Sequence, residues 1–97
     1  MTYGGPVLTP DEQRVVNNFL APDGSLRTIP SKRAKLLLVL DHLSESFEVG
    51  RSYPEAEVNE ILTGFHPDFA ALRRYLIEDQ FLAREDGRYW RVEPHES

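Results

Sequence analysis

The side chains best suited to chemistry in this 97-residue chain are its arginines and lysines, and eight of these eleven fall into three groups. The groups are Lys32, Arg33 and Lys35; then Arg73 and Arg74; and then Arg84, Arg88 and Arg91. Guanidinium and ammonium groups bind carboxylates and phosphates. The sequence therefore predicts anion binding, and the elements that hold the three groups decide which anion.

Other kinds of site find little support in the sequence. His42, His66 and His95 are scattered, and there is no paired-histidine motif, P-loop or glycine-rich dinucleotide motif. The chain has no cysteine, which excludes disulfides and cysteine-ligated zinc and suits a reducing compartment. We expect no enzyme activity, no metal and no cofactor.

The predicted location is the cytoplasm. No apolar run approaches the roughly 18 residues that a membrane-spanning helix needs. The first six residues also lack the basic start and apolar stretch of a signal peptide.

Net charge is −5, with sixteen acids against eleven Lys and Arg, and the charges are unevenly spread. Residues 27–35 hold four basic residues and no acid, whereas residues 36–68 hold seven acids and one arginine. A nucleic-acid-binding protein usually carries a basic face. The total charge therefore counts against such a role, and the two net-positive regions, residues 27–35 and residues 69–92, favour it.

Two helices are predicted in the first half of the chain. Thr9-Pro10-Asp11-Glu12 is typical of a helix start with a capping box. Ser31 is expected to cap a second helix that runs to about Phe47, with residues 36–40 apolar nearly all round. One side of it should face the core, and the other should meet the Val15 and Phe19 face of the first helix. A contact between two copies is the alternative, so both a monomer and a homodimer remain open.

The second half predicts two more helices and a hairpin. Apolar spacing indicates a third helix over about 54–64 and a fourth over about 68–79. Asp86-Gly87 between two β-prone runs predicts a hairpin over 81–92. It pairs Ala83 with Trp90 on a face expected to cover the core, and leaves Arg84, Tyr89 and Arg91 on the other face.

This order of elements predicts an α+β, mostly α fold. The predicted fold is a winged helix-turn-helix with an added N-terminal helix and a C-terminal β-hairpin wing. We expect one domain over residues 9–92, a flexible tail over 1–8 and a flexible acidic tail over 93–97. A short strand is possible at 26–29 and another within 47–53.

On this scaffold the first functional hypothesis is DNA binding by a transcription-linked regulator, through helix 68–79 and wing 81–92. Arg73 and Arg74 would read bases, because the second helix of a helix-turn-helix enters the major groove. The remaining basic residues would hold phosphates: Lys32, Arg33, Lys35, Arg84, Arg88 and Arg91. Each group also has a simpler explanation: a surface pair of Arg74 with Glu78, stacking of arginine on Tyr89, and an intramolecular carboxylate for the start of the second helix.

The second hypothesis is a protein-protein interaction module without direct DNA binding. Glu55, Glu57 and Glu60 make the third helix acidic. The first helix of a helix-turn-helix crosses the phosphate backbone, so these glutamates would repel DNA. They would instead form a docking face for a protein partner.

A set of motifs resembles a known bacterial family. These are Asp23-Gly24, Ile29-Pro30-Ser31-Lys32, Gly50-Arg51-x-Tyr53, Glu55-x-Glu57-Val58-Asn59, Leu72-Arg73-Arg74 and Gly87-x-Tyr89-Trp90. From Leu8 to Val92 the chain resembles the domain-of-unknown-function family DUF2087. The resemblance implies a transcription-linked role, because members occur alone or attached to helix-turn-helix regulators. The chain departs from the family pattern at Pro54, where a capping Ser or Thr is usual.

Overall fold

Four helices and a three-stranded antiparallel sheet make up the computed structural model, which describes residues 9–92. In chain order the elements are α1 (Pro10–Asn18), α2 (Arg33–Ser44), β1 (Ser52–Pro54), α3 (Glu55–Thr63), α4 (Phe69–Glu78), β2 (Leu82–Glu85) and β3 (Arg88–Arg91). The predicted α+β, mostly α class is confirmed, and the layout is consistent with a winged helix. The predicted tails 1–8 and 93–97 lie outside the described residues.

The capping box predicted for α1 is confirmed. The Thr9 hydroxyl accepts a hydrogen bond from the Glu12 backbone N–H at 3.1 Å. The Glu12 carboxylate accepts one from the Thr9 N–H at 2.9 Å, and Pro10 occupies the first turn. The helix packs against α2, as predicted, but its buried residue is Val16, and the expected Val15 and Phe19 are half-buried.

The predicted limits of α2 are wrong at both ends. The helix starts at Arg33, after an extended Lys32 that makes no side-chain cap, so Ser31 lies one residue too early to serve as the cap. At the other end Glu45, Ser46 and Phe47 each bond to a carbonyl three residues back. This tighter turn ends the helix at Ser44 and swings Phe47 into the core.

The core forms where α2, α3 and α4 meet the sheet. Its buried members are Leu26, Leu36, Val39, Leu40, Leu43, Phe47, Tyr53, Val58, Leu62, Leu72, Leu76, Leu82 and Tyr89. Leu37 and Leu38 on α2 are only half-buried. A contact between two copies through these residues stays a prediction.

The predicted hairpin register is confirmed, but the predicted faces are inverted. Ala83 pairs with Trp90 and Arg84 with Tyr89, through a turn in which Asp86 (φ 55°) and Gly87 (φ 78°) are both left-handed. However, Tyr89 and Leu82 are fully buried, whereas Trp90 is half-buried. The core therefore covers the Tyr89 face, because α4 packs on that side.

The sheet has the order β1-β3-β2, so the wing carries a third strand. The strand expected within 47–53 exists, at Ser52–Pro54, and its Tyr53 lies opposite Tyr89. The strand considered at 26–29 does not form. Only an isolated bridge joins Leu20 to Leu26, followed by the turn to Pro30. No helix within residues 9–92 is both long and apolar enough to cross a membrane.

Among residues 9–92 one acid, Asp41 of α2, is buried. Its residue is 7% exposed, and its Oδ2 atom has no hydrogen-bond partner within residues 9–92. Burial, and then the nearby Glu45 carboxylate, raises the pKa of Asp41 above its usual value, while Arg91 opposes that rise. An unpartnered buried carboxyl is unfavourable, so this position costs the fold stability.

Candidate nucleic-acid interface

A groove of about 480 Å³ lies between α4 and the hairpin. Its lining residues are Ala70, Arg73, Arg74, Ile77, Glu78, Arg84 and Tyr89. The α4 members recur three and four residues apart, so they share one helix face. Three predicted nucleic-acid-binding residues, Arg73, Arg74 and Arg84, therefore lie in one concave surface with a single carboxylate.

Arg73 is held from α3. Its Nη1 group donates to the Asn59 side-chain oxygen and lies 4.0 Å from a Glu55 carboxylate oxygen. The Arg73 side chain is 24% exposed. Contacts from α3 therefore fix Arg73 beside the groove. A residue that reads bases would need to extend into solvent, and Arg73 does not.

The same Glu55 also binds the wing. The Tyr89 hydroxyl donates to Glu55 Oε1 at 2.8 Å, so one carboxylate joins α3 to β3 and approaches Arg73 on α4. Burial first, and then this bond, raises the pKa of Tyr89 above its ordinary value. The phenol stays neutral, and α3, α4 and β3 share one polar network beside the groove.

Arg74 is the most exposed arginine on α4. Its Nε lies 3.9 Å from Glu78 Oε2 one turn on, and its side chain is 62% exposed. The guanidinium also lies 5.3 Å from the Tyr75 ring centroid. The predicted surface pair exists, but an exposed pair of this kind contributes only about 0–1 kcal/mol and yields readily to a competing anion.

Arg84 lies on the hairpin side of the groove. Its guanidinium carbon is 5.7 Å from the ring centroid of Tyr89, so the predicted stacking is confirmed. No carboxylate lies within 4.0 Å of Arg84 in the described part of the chain. Stacking restricts the side chain and leaves its charge uncompensated.

The other two wing arginines do not line this groove. Arg88 donates to the Ser52 hydroxyl at 3.0 Å, on the β1 edge. Arg91 is half-buried and donates to the Phe47 carbonyl at 3.4 Å. The structure thus separates them from Arg84, although all three were grouped as phosphate ligands from the sequence.

The basic start of α2 forms a separate surface. Arg33 pairs with Asp79 at the end of α4, so an intramolecular carboxylate does meet the start of the second helix. Lys32 and Lys35 are exposed and line a smaller groove, of about 250 Å³, with Phe19, Thr28, Ile29, Pro30 and Ser31. Neither lysine has a carboxylate within 4.0 Å among residues 9–92.

The acidic face predicted on α3 is only partly available to a partner. Glu55 bonds to Tyr89, and Glu57 accepts a bond from Arg51 at 2.8 Å. Glu60 is exposed and makes no ion pair in the described region. Two of the three glutamates therefore have roles inside the fold.

Within the part of the chain that the structure describes, histidine and carboxylate side chains do not converge on a centre. His66 Nδ1 accepts a bond from the Asp68 N–H at 3.0 Å, which is the local role expected of it. Within residues 9–92, no group of three or more His, Cys, Asp or Glu side chains is arranged to hold a metal ion.

Comparison with known protein families gives a match over most of the described residues. Residues 25–91 match the family model described as "Uncharacterized protein conserved in bacteria (DUF2087)". The chain belongs to the DUF2087 family. The match begins after α1 and after Asp23-Gly24, so it is shorter than the resemblance noted from the sequence. No curated protein and no solved structure matches the chain.

The family motifs explain which residues the charge pattern overlooked. Glu55, Asn59, Arg73 and Tyr89 all belong to motifs that carry the resemblance to DUF2087, and they meet in the polar network beside the groove. Asn59 and Tyr89 were not predicted site residues. Both residues belong to the family motifs, and Asn59 is polar and so is not needed for the apolar core. Those two facts were the signal that could have indicated them.

Proposed function

We propose that this DUF2087 protein is a cytoplasmic, transcription-linked regulator that binds duplex DNA in the groove between α4 and the hairpin. One observation carries the proposal: Arg73, Arg74 and Arg84, from two different elements, line the same groove, and Glu78 is the only carboxylate that residues 9–92 place there. This groove occupies the position at which a winged helix presents its second helix and its wing to DNA.

The chemistry of the three arginines suits a phosphate backbone. Guanidinium groups bind phosphates through paired hydrogen bonds. Among residues 9–92, Arg84 has no carboxylate to leave, and the ion pair of Arg74 is the exposed one with Glu78. A phosphate that enters the groove therefore displaces little existing interaction.

The acidity of α3 is less of an obstacle than the sequence suggested. Glu55 lies 4.0 Å from the Arg73 guanidinium, and Glu57 pairs with Arg51 at 2.8 Å. Their charges are partly offset within the protein. The net charge of −5 still opposes DNA at long range, so we expect moderate affinity with a strong dependence on salt.

Binding to a fluorescently labelled duplex of randomised sequence tests the proposal. At low salt and micromolar protein, fluorescence anisotropy should rise. The logarithm of the association constant should fall linearly with the logarithm of salt concentration, with a slope of about −0.9 for each phosphate that the protein neutralises. A flat anisotropy at the lowest salt would eliminate the proposal.

A protein-protein interaction module on the same scaffold is the second candidate. A shallow depression of about 670 Å³ beside α3 supports this candidate. It is lined by Pro54, Ala56, Glu57, Asn59, Glu60 and Thr63. Capture from a bacterial lysate, followed by Glu60→Lys, tests this candidate without disturbing Glu55. A protein retained by the original chain and lost with Glu60→Lys is expected on this view, whereas recovery of DNA alone would reject it.

A further inference from the structure

On the basis of the proposed function, we infer that Arg73 and Arg84 form a clamp for one backbone phosphate, and that Asn59 is the residue that positions Arg73. Arg74 is then the α4 arginine left to contact bases. This assignment separates two neighbouring arginines that the sequence treats alike.

The contacts of Arg73 support a role in holding an anion. Both of its partners, Asn59 and Glu55, meet the guanidinium at Nη1. Its Nη2 and Nε groups make no hydrogen bond with residues 9–92. A guanidinium has five N–H donors in a rigid plane, so one edge can be anchored while another binds an oxyanion.

Fixing the side chain in advance favours binding and also limits reach. A side chain already ordered by Asn59 loses less conformational freedom when it binds a ligand. The same anchoring keeps Arg73 at 24% exposure, compared with 62% for Arg74. A base edge lies deep in the major groove, whereas phosphates lie at its rim. Arg73 therefore fits a phosphate, and Arg74 has the reach for a base.

Arg84 completes the clamp from the hairpin. It stacks on Tyr89, and the Tyr89 hydroxyl is tied to the same Glu55 that approaches Arg73. The two arginines are thus placed relative to each other through one shared set of contacts. Two guanidinium groups beside one groove suit the several acceptor oxygens of a phosphate better than a single carbonyl acceptor.

Salt titrations of single variants test the clamp. We expect Arg73→Gln to weaken duplex binding about tenfold for every sequence and to reduce the salt slope by about 0.9. Arg73→Lys should keep the slope and lose several-fold in affinity, because charge remains and the planar fork does not. Asn59→Ala should behave like Arg73→Lys, whereas Asn18→Ala, an exposed control on α1, should match the original protein.

Selection from a randomised duplex library tests the division between the two arginines. Arg74→Gln should change or relax the preferred sequence, whereas Arg73→Gln should leave the preference intact. Thermal unfolding followed by circular dichroism checks that each variant is folded. If Arg73→Gln unfolds, Arg73→Lys and Asn59→Ala still decide the outcome, since a purely structural role would lower the melting temperature without changing the affinity of the folded protein.

The possible failures are distinguishable. If the original protein binds duplex but Arg73→Gln keeps its full salt slope, the clamp is wrong and the proposed function stands. If Arg73→Gln changes the sequence preference, Arg73 reads bases and the assignment is overturned. If the original protein binds no duplex, the clamp and the proposed function both fail.

Discussion

Replacing Arg74 and Arg84 together by glutamine should lower the affinity for duplex DNA about a hundredfold. Each arginine supplies a charge-assisted hydrogen bond worth about 1.5 kcal/mol, and two such losses give roughly that factor. The salt slope should also become shallower, by about 0.9 for each phosphate contact that is lost. Fluorescence anisotropy across a range of salt concentrations measures both quantities.

A matched control separates the groove from overall charge. The double variant Arg14→Gln and Arg27→Gln also removes two positive charges, but from exposed positions outside the groove. It should bind within about threefold of the original protein, because screened long-range charge is a small effect at physiological salt. Equal losses in the two double variants would mean that binding follows total charge and not the groove.

Replacing Asp41 by asparagine should stabilise the protein at neutral pH by about 1–2 kcal/mol. The carboxyl is buried, and its Oδ2 atom has no hydrogen-bond partner within residues 9–92. Removing an unpaired buried charge recovers part of its desolvation penalty, which is of order 1–3 kcal/mol. For a domain of this size, a gain of 1 kcal/mol raises the melting temperature by about 4–8 °C.

The gain in stability from Asp41→Asn should depend on pH in a definite direction. The pKa of Asp41 is raised in the folded state by burial and by Glu45, so the folded protein holds this proton more tightly than the unfolded chain. The stabilisation gained from this proton is complete below the pKa that Asp41 has in the unfolded chain. It is lost as pH rises through the pKa that Asp41 has in the folded protein. The advantage of Asp41→Asn should therefore be largest at neutral pH and vanish in acid.

Asp23 provides a control of opposite sign. Its pKa is lowered by hydrogen bonds from the Ser25 hydroxyl and backbone N–H, so its charged form favours the fold. Asp23→Asn should lose stability at neutral pH, and that difference should fade as pH falls. Urea unfolding of both variants from acid to neutral pH measures these profiles. A destabilised Asp41→Asn at neutral pH would contradict the account of a costly buried carboxylate.

Features set by neighbouring residues were predictable from the sequence. The α1 capping box and the Asp86-Gly87 turn each depend on contacts within four residues, and both formed as expected. The face of the hairpin was not predictable in this way. Apolar residues occupy both faces of β2, with Ala83 on one and Leu82 on the other, so alternation alone does not decide which side α4 covers.

Long-range partners decided the rest of the site. The partner of Arg73 is Asn59, fourteen residues away, and that of Arg33 is Asp79, forty-six residues away. Neither pairing follows from helical spacing. Arg84 lines the groove with α4 residues, whereas Arg88 donates to Ser52 on the β1 edge, so the three wing arginines do not stay together.

Mapping the duplex contact on the protein by NMR tests the central claim most directly. A ¹⁵N-labelled sample titrated with a short duplex should show its largest amide shift changes at α4 and β2, around Arg73, Arg74 and Arg84. The Arg side-chain Nε signals of the groove should move as well. Changes concentrated instead on α3 near Glu60 or at Lys32 and Lys35, or a spectrum that does not change, would contradict a DNA-binding groove between α4 and the hairpin.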